Sequence, residues 1–309
     1  VIALRKRYYN YDRIKSQSTL RDTRRWQKER RKKIKDLSIR IPQSSKKEAQ
    51  ALRRNRSDFS ITWIGHSTFL IQADGANILT DPVWANWMGY ERRETEPGLP
   101  IEELPDIDYV LLSHNHYDHL HYGSLRKLKG NITYLVPHGM KNAFRRKGFT
   151  PVIEAEWWDT YKIGSLAFSF VPAQHWTRRG LTDANTSHWG GWVIQSSQQT
   201  VYFAGDSAYF RGFKEIGEAF DIDYTLMPIG AYEPEWMMGN AHLTPKDAVM
   251  AFMDTRGRVM VPMHYGAYRL ADDTGPEALD QLFEAWEQFG LEKGKLAVLA
   301  IGETLWNKA

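Results

Sequence analysis

From about residue 58 the chain alternates short apolar runs with turn residues. The runs at 61–64, 68–72, 77–80 and 109–112 have the length and β-branched content of buried strands. Further runs at 133–136, 166–171, 191–195, 201–204, 224–227, 259–263 and 296–301 read the same way. Between them, apolar residues recur at helical spacing over 122–129, 139–147, 211–219, 245–255 and 276–289. Many strands interleaved with helices predict a layered α/β (α+β) protein. No short fixed period repeats, although two strand-rich halves are compatible with a distant duplication.

The first 57 residues have another character. Leu20, Trp26, Ile34 and Leu37 are scattered among basic runs such as 30–33, so the apolar stripe is thin. This pattern predicts a partly helical arm lying on another surface, or else a solvated charged segment. The expected division is an arm over 1–57 and one domain over 58–309. Charge sharpens it: residues 1–56 carry 20 Lys and Arg against 5 Asp and Glu, and the rest carries 21 against 32. A basic arm on an acidic body can meet nucleic acid, anionic lipid, or the acidic face of its own or a neighbouring chain.

The chain has no cysteine. That excludes disulfides, a thiol nucleophile and thiolate ligands, so any metal site must be built from imidazole and carboxylate. No apolar run approaches the roughly 20 residues needed to span a bilayer, and no signal-peptide core is visible. A soluble or peripheral membrane protein is expected, its compartment unread. The chain begins at Val1, which leaves open a targeting segment removed upstream.

The chemistry concentrates in Ser113-His114-Asn115-His116-Tyr117-Asp118-His119, an H-x-H-x-D-H sequence just after an apolar run. At a strand end, alternation sends His114 and His116 the same way, and the following turn brings Asp118 and His119 beside them. Each catalytic zinc needs about three protein ligands plus a water, so four residues cannot serve two ions. Three further candidates stand where apolar runs end: His175, Asp206 and His264. Taken singly, each of these histidines reads as a structural hydrogen-bonding residue; beside the loop they read as ligands.

Thr80-Asp81-Pro82, the His114 to His119 loop, Ala173-Gln174-His175, Ala204-Gly205-Asp206 and the late His264 resemble the successive signatures of the metallo-β-lactamase superfamily. Within it, Trp63-Ile64-Gly65-His66-Ser67-Thr68, Gln174-His175-Trp176, Trp189-Gly190-Gly191-Trp192 and Ile229-Gly230-Ala231-Tyr232-Glu233-Pro234 are similar to N-acylphosphatidylethanolamine-hydrolysing phospholipase D and its bacterial relatives. The match runs over about 59–306 and leaves the arm unexplained. It implies an αββα sandwich with metals at one edge of two sheets. It also implies one zinc on His114, His116 and His175, a second on Asp118, His119 and His264, and Asp206 bridging them. Asp81 would lie beneath the loop and orient a ligand histidine rather than bind metal. Iron, manganese or nickel suit the same donors.

Two such ions, about 3.5–4 Å apart, would supply a shared hydroxide near neutral pH and neutralise charge in the transition state. Asp118 and Asp206 thus count as catalytic as well as metal-binding. His242, in Asn240-Ala241-His242-Leu243-Thr244-Pro245, is the candidate proton donor to a leaving alkoxide; the resembling family has a histidine there. Its alternative role is to cap the next helix or tie the loop. His66 reads equally as packing or substrate contact, His121 and His188 as structural, and His138 as a helix cap.

The resemblance implies phosphodiester cleavage of an N-acylphosphatidylethanolamine-like lipid or a small phosphodiester. The Trp84 to Tyr90 loop and Trp236-Met237-Met238 would offer peripheral membrane contact, or else pack in a core or dimer. The alternatives are a nuclease or other phosphodiesterase, disfavoured by an acidic body and an arm with few aromatics, and a lactonase or β-lactamase-like ester or amide hydrolase. A non-enzymatic scaffold would require a broken ligand set. A homodimer embraced by the arm is a further expectation.

Overall fold

The structure is a computed structural model that describes residues 6–307; the first five residues of the arm and the last two of the chain lie outside the described residues. In chain order the elements are α1 (Leu20–Arg30), α2 (Ala49–Arg54), β1 (Phe59–Gly65), β2 (Thr68–Ala73), β3 (Ala76–Thr80), β4 (Trp87–Met88), β5 (Glu91–Arg92), β6 (Tyr109–Leu111) and α3 (Tyr122–Leu125). There follow β7 (Thr133–Pro137), α4 (Lys141–Arg146), β8 (Val152–Ala155), β9 (Thr160–Ile163), β10 (Leu166–Val171), β11 (Gly191–Gln195), β12 (Thr200–Phe203) and α5 (Gly212–Ala219). The chain continues with β13 (Tyr224–Pro228), α6 (Glu235–Met238), α7 (Pro245–Asp254), β14 (Val259–Met263), α8 (Gly275–Gln288) and β15 (Thr304–Asn307).

Two mixed sheets result, ordered β15-β1-β2-β3-β6-β7-β8 and β14-β13-β12-β11-β10-β9, besides the small β4–β5 pair. Each is antiparallel on one side and parallel on the other: β3, β6, β7 and β8 run parallel in the first, β12, β13 and β14 in the second. Side-chain alternation sorts the first sheet into two cores. Phe69, Ile71, Ile78, Leu111 and Leu135 turn inward against Phe168, Phe170, Trp192 and Phe203 of the second sheet. Leu70, Leu79, Val110, Leu112 and Val136 turn outward and are covered by Leu52, Leu125 and Phe144 from the helices. Phe213, Phe252 and Trp286 of α5, α7 and α8 join the core on the second sheet's side. This is the αββα sandwich expected from the sequence. Because both faces of each sheet are covered, the inner strands read as continuous apolar runs.

Three helices start on the same signal. Thr19, Thr244 and Thr274 each accept the backbone N–H three residues on, and Asp22, Asp247 and Glu277 reach back to the cap. Where the expectations differ, the cause is local. The run 296–301 is not a strand: it touches Met260 at Leu296 and Gln43 at Ile301 while crossing from one sheet edge to the other, and pairing resumes at β15. β8 and β9 were absent from the apolar pattern because Glu154, Thr160 and Lys162 interrupt them; β9 is a half-exposed edge strand.

The arm lies on the body. Tyr8, Asn10, Ser16, Ile41 and Leu52 are buried. Its basic residues meet acidic ones of the domain: Lys33 Nζ is 2.8 Å from Asp272 Oδ2, and Lys35 Nζ is 3.0 Å from Glu233 and 2.9 Å from Glu277. Trp26 Nε1 donates to Asp272 Oδ1 at 2.8 Å. Leu20 and Ile34 of the thin stripe remain exposed. Among the described residues no helix is long and apolar enough to cross a membrane.

Candidate metal centre

The seven residues singled out by motif and by strand-end position converge at one edge of the sandwich. β6 ends at Leu111, and the turn after it carries His114, His116, Asp118 and His119; the chain returns with His175 after β10, Asp206 after β12 and His264 after β14. Two sets form. His114 Nε2 and His175 Nε2 lie 2.9 and 3.1 Å from His116 Nδ1. His119 Nε2 lies 3.3 Å from both His264 Nε2 and Asp118 Oδ2. Asp206 stands between them: Oδ2 is 3.1 Å from His119 Nε2 and 3.8 Å from His175 Nε2, while Oδ1 is 3.1 Å from His264 Nε2.

Backbone strain and one close approach aim these groups. Asp81 and His264 have φ of 33° and 64°, in the left-handed region that side chains seldom adopt. Gly205, at φ 63°, lets the Asp206 turn press on the metal loop; a Cβ there would sit 2.6 Å from Ser113 Cβ. Asp81 lies beneath the loop. Fully buried, it accepts from His119 Nδ1 at 2.6 Å and from Ser113 N–H and Oγ at 2.8 and 2.5 Å. A carboxylate on the far nitrogen fixes the ring and turns Nε2 toward the centre.

Burial holds His114 and His175 well below the usual imidazole range and His116 down to about 4, so all three are neutral with a lone pair available. Burial would raise Asp118 and Asp206, yet neighbouring imidazoles, His119 foremost, hold both well below the usual carboxylate range. For His119 and His264 burial is outweighed by Asp206 and Asp118: His119 is raised well above its ordinary value and His264 to about 9. Without a cation, those two protons balance two buried carboxylates.

The donor set fits metal. Ligands bonded at about 2.0–2.1 Å around a tetrahedral cation are separated by about 3.3 Å, close to the spacings in both sets. Three neutral imidazole nitrogens facing one another cannot all be satisfied by hydrogen bonds among themselves, and His116 Nε2 and His242 Nδ1 are buried without a hydrogen-bond partner.

The other histidines divide. His66 Nε2 is 3.0 Å from Asp118 Oδ2, with φ 55° and the ring 4.1 Å from that of His264 in a tilted contact, so it touches the cluster rather than packing elsewhere. His242 faces the centre, its Nδ1 3.9 Å from Asp206 Oδ2 and without a hydrogen-bond partner; Thr244, not His242, caps α7. His121 accepts the Ser124 N–H and caps α3, and His188 stacks at 4.3 Å on Tyr8 and meets Trp157 at a tilt, also at 4.3 Å. The expectation that His138 caps a helix is corrected: α4 has no side-chain cap, Glu154 accepts the Gly139 and Lys141 N–H groups instead, and His138 meets the Tyr8 hydroxyl.

Two contributors carry no motif. Arg179 Nη1 donates to the carbonyls of Asn115, His116 and Leu120, stapling the metal loop. Asn10 Oδ1, from the arm, accepts the His175 backbone N–H at 3.0 Å. A cavity of about 760 Å³ opens onto the cluster, reaching His116, Asp118, Asp206, His242 and His264 at its floor. Its walls bring Leu20 and Trp26 of the arm together with Trp87, Trp176, Met237 and Leu270.

The β-lactamase superfamily domain matches residues 76–265, more than half of the chain. The chain belongs to the metallo-β-lactamase superfamily. It is 34% identical over 233 residues to N-acyl-phosphatidylethanolamine-hydrolyzing phospholipase D 1 of Caenorhabditis elegans, a match covering 69% of this chain and 65% of that protein. A metal-dependent hydrolase of Pyrobaculum aerophilum is 29% identical over 248 residues, 79% of this chain and 98% of the relative. This superfamily member also shares its fold with a solved metallo hydrolase of Ignicoccus hospitalis: TM-score 0.63 and 24% identity, over 82% of this chain and all of that one. The chain thus spans just under two thirds of its nematode relative's length.

Proposed function

We propose that this chain hydrolyses a phosphodiester bond in an N-acylphosphatidylethanolamine-like lipid at a pair of bound cations. The observation that carries the reading is the cavity, whose floor is the histidine and aspartate cluster and whose walls are apolar. A lipid needs such a passage for its chains and a charged floor for its phosphate. Among the described residues lining it, Arg178 is the one Lys or Arg, which favours a lipid over a nucleic-acid backbone. Similarity to the nematode enzyme, whose name carries this substrate, supports the same choice.

His114, His116 and His175 would hold one cation and Asp118, His119 and His264 the other, with Asp206 between them. Zinc suits imidazole and carboxylate, as do iron, manganese and nickel. When bound, the pair supplies Lewis acidity toward a phosphoryl oxygen and acidifies water. Asp81 keeps His119 in one orientation, and largely apolar walls surround the floor. His242, lowered to about 4 chiefly by burial, is neutral at pH 7, so its ring would pass a proton to the leaving alkoxide from solvent rather than store it as a charge. Leu20 and Trp87 line the cavity and are still 80% and 61% exposed, which supports a peripheral seat on a lipid surface.

The test is a substrate panel on metal-assayed protein: N-acylphosphatidylethanolamine, a simple phosphodiester, RNA and a β-lactam. The lipid should turn over fastest, and faster turnover of RNA or the β-lactam would refute the assignment. His242→Ala should lose turnover with its metal content intact. Binding to phospholipid vesicles should weaken in Leu20→Ala/Trp87→Ala.

A further inference from the structure

His175 is held at two points, and both trace back to the arm. Its backbone N–H donates to Asn10 Oδ1 at 3.0 Å. Its ring Nδ1 faces the Ala241 carbonyl at 2.8 Å, which leaves Nε2 for the centre. The neighbouring carbonyl, that of Asn240, accepts from Ser16 Oγ at 2.5 Å, and Asn10 Nδ2 donates to the same Ser16 Oγ at 2.9 Å. The hydrogen bonds therefore close a circuit: Asn10, the His175 backbone, the His175 ring, the 240–241 loop, Ser16 and back to Asn10. Asn10 and Ser16 are buried, and Asn10 Oδ1 also accepts Trp189 Nε1 at 2.9 Å. Ser16, Ser18, Thr19, Leu20 and Thr23 of the arm and His242 line the same cavity.

We propose that Asn10 and Ser16 are positioning residues of the metal centre: the arm sets the direction of the His175 imidazole and thereby how tightly the cation of the His114, His116 and His175 set is retained. The proposal rests on the reading of His175 as a ligand. The physical reason is that a ligand ring is tuned by what holds its other nitrogen and its backbone; losing such a partner typically weakens metal binding about 10- to 100-fold. Here the partners are supplied by a segment about 165 residues away in sequence. An arm that came away from the body would take two sides of the circuit with it.

The test compares full-length wild type with Asn10→Leu, Asn10→Asp, Ser16→Ala and Gln17→Ala. Each is stripped of metal and retitrated with zinc against a chromophoric chelator, and with cobalt(II) to read its absorption bands. Asn10→Leu should loosen one zinc equivalent about 10-fold and shift the cobalt bands. Asn10→Asp keeps the acceptor for the His175 N–H but loses the amide donor to Ser16 Oγ and to the Ile14 carbonyl, so it should be weakened, though less than Asn10→Leu. Ser16→Ala should fall between Asn10→Leu and wild type; deleting a single hydroxyl, it keeps the test open should Asn10→Leu not fold. Gln17→Ala removes an exposed arm contact to Asn185 and should match wild type. Unchanged zinc affinity and cobalt bands in Asn10→Leu and Ser16→Ala would overturn the proposal, as would an Asn10→Asp protein as weak as Asn10→Leu. A wild type that takes up no cation would overturn the metal reading itself, and the proposal with it.

Discussion

The metal loop and the N-terminal arm meet at the same centre but are specified in opposite ways. In the loop, four ligand-type side chains lie within six residues, and the geometry of one turn after a strand brings them together. In the arm, the abundant feature is charge, and part of it sits in ion pairs such as Lys6 with Glu156. The arm residues that touch the centre are two small polar side chains, Asn10 and Ser16. Local chemistry can therefore be dense and visible in one segment, while another segment reaches the same atoms through contacts that its composition conceals.

The comparison breaks most sharply at Asp206, which stands between the two ligand sets. Asp206→Ala should reduce hydrolysis on the order of 10³-fold or more and lower the bound metal measured by elemental analysis; near-normal turnover would deny it a bridging place. Asp81→Ala leaves every ligand in place but frees the His119 ring, so turnover should fall about 10- to 100-fold, with the loss recovered in part at high zinc. On the arm's side, burial lowers His188, stacked on Tyr8, to about 3. In the unfolded chain it protonates near 6.5, so the unfolded state binds the extra proton as pH falls below that value, and stability is lost from pH 6.5 downward toward 3. Between pH 6.5 and 5 the wild type should lose about 2 kcal/mol more than His188→Gln in urea unfolding. An equal loss in both would show that His188 is not held neutral. The smallest effect belongs to the arm's charge. Lys6→Ala removes an exposed pair and should change stability by no more than about 0.5 kcal/mol, in the same denaturation assay.

The sequence made the layered fold legible because buried strands are apolar on both faces and strand ends are marked by His and Asp. One local motif and three strand-end positions pointed to the seven side chains of the two sets, while Asp81, His66 and His242 beside them were reached through the family resemblance. The sequence concealed β8 and β9, whose edge positions admit Glu154 and Lys162, and mistook 296–301 for a strand because a buried crossing segment is as apolar as a paired one. His138 was misread because a position before a helix is only a cap if no better acceptor is present, and Glu154 supplies one from β8. Arg179 and Asn10 were illegible: each acts on backbone groups far along the chain, and an interaction with a carbonyl or N–H leaves no pattern in the partner's side chain.

The most direct test is anomalous diffraction at the zinc edge from crystals of the zinc-loaded full-length chain. Two peaks are predicted, one among His114, His116 and His175 and one among Asp118, His119 and His264, with Asp206 touching both. Crystals grown with excess zinc that show no peak within this cluster would contradict the account.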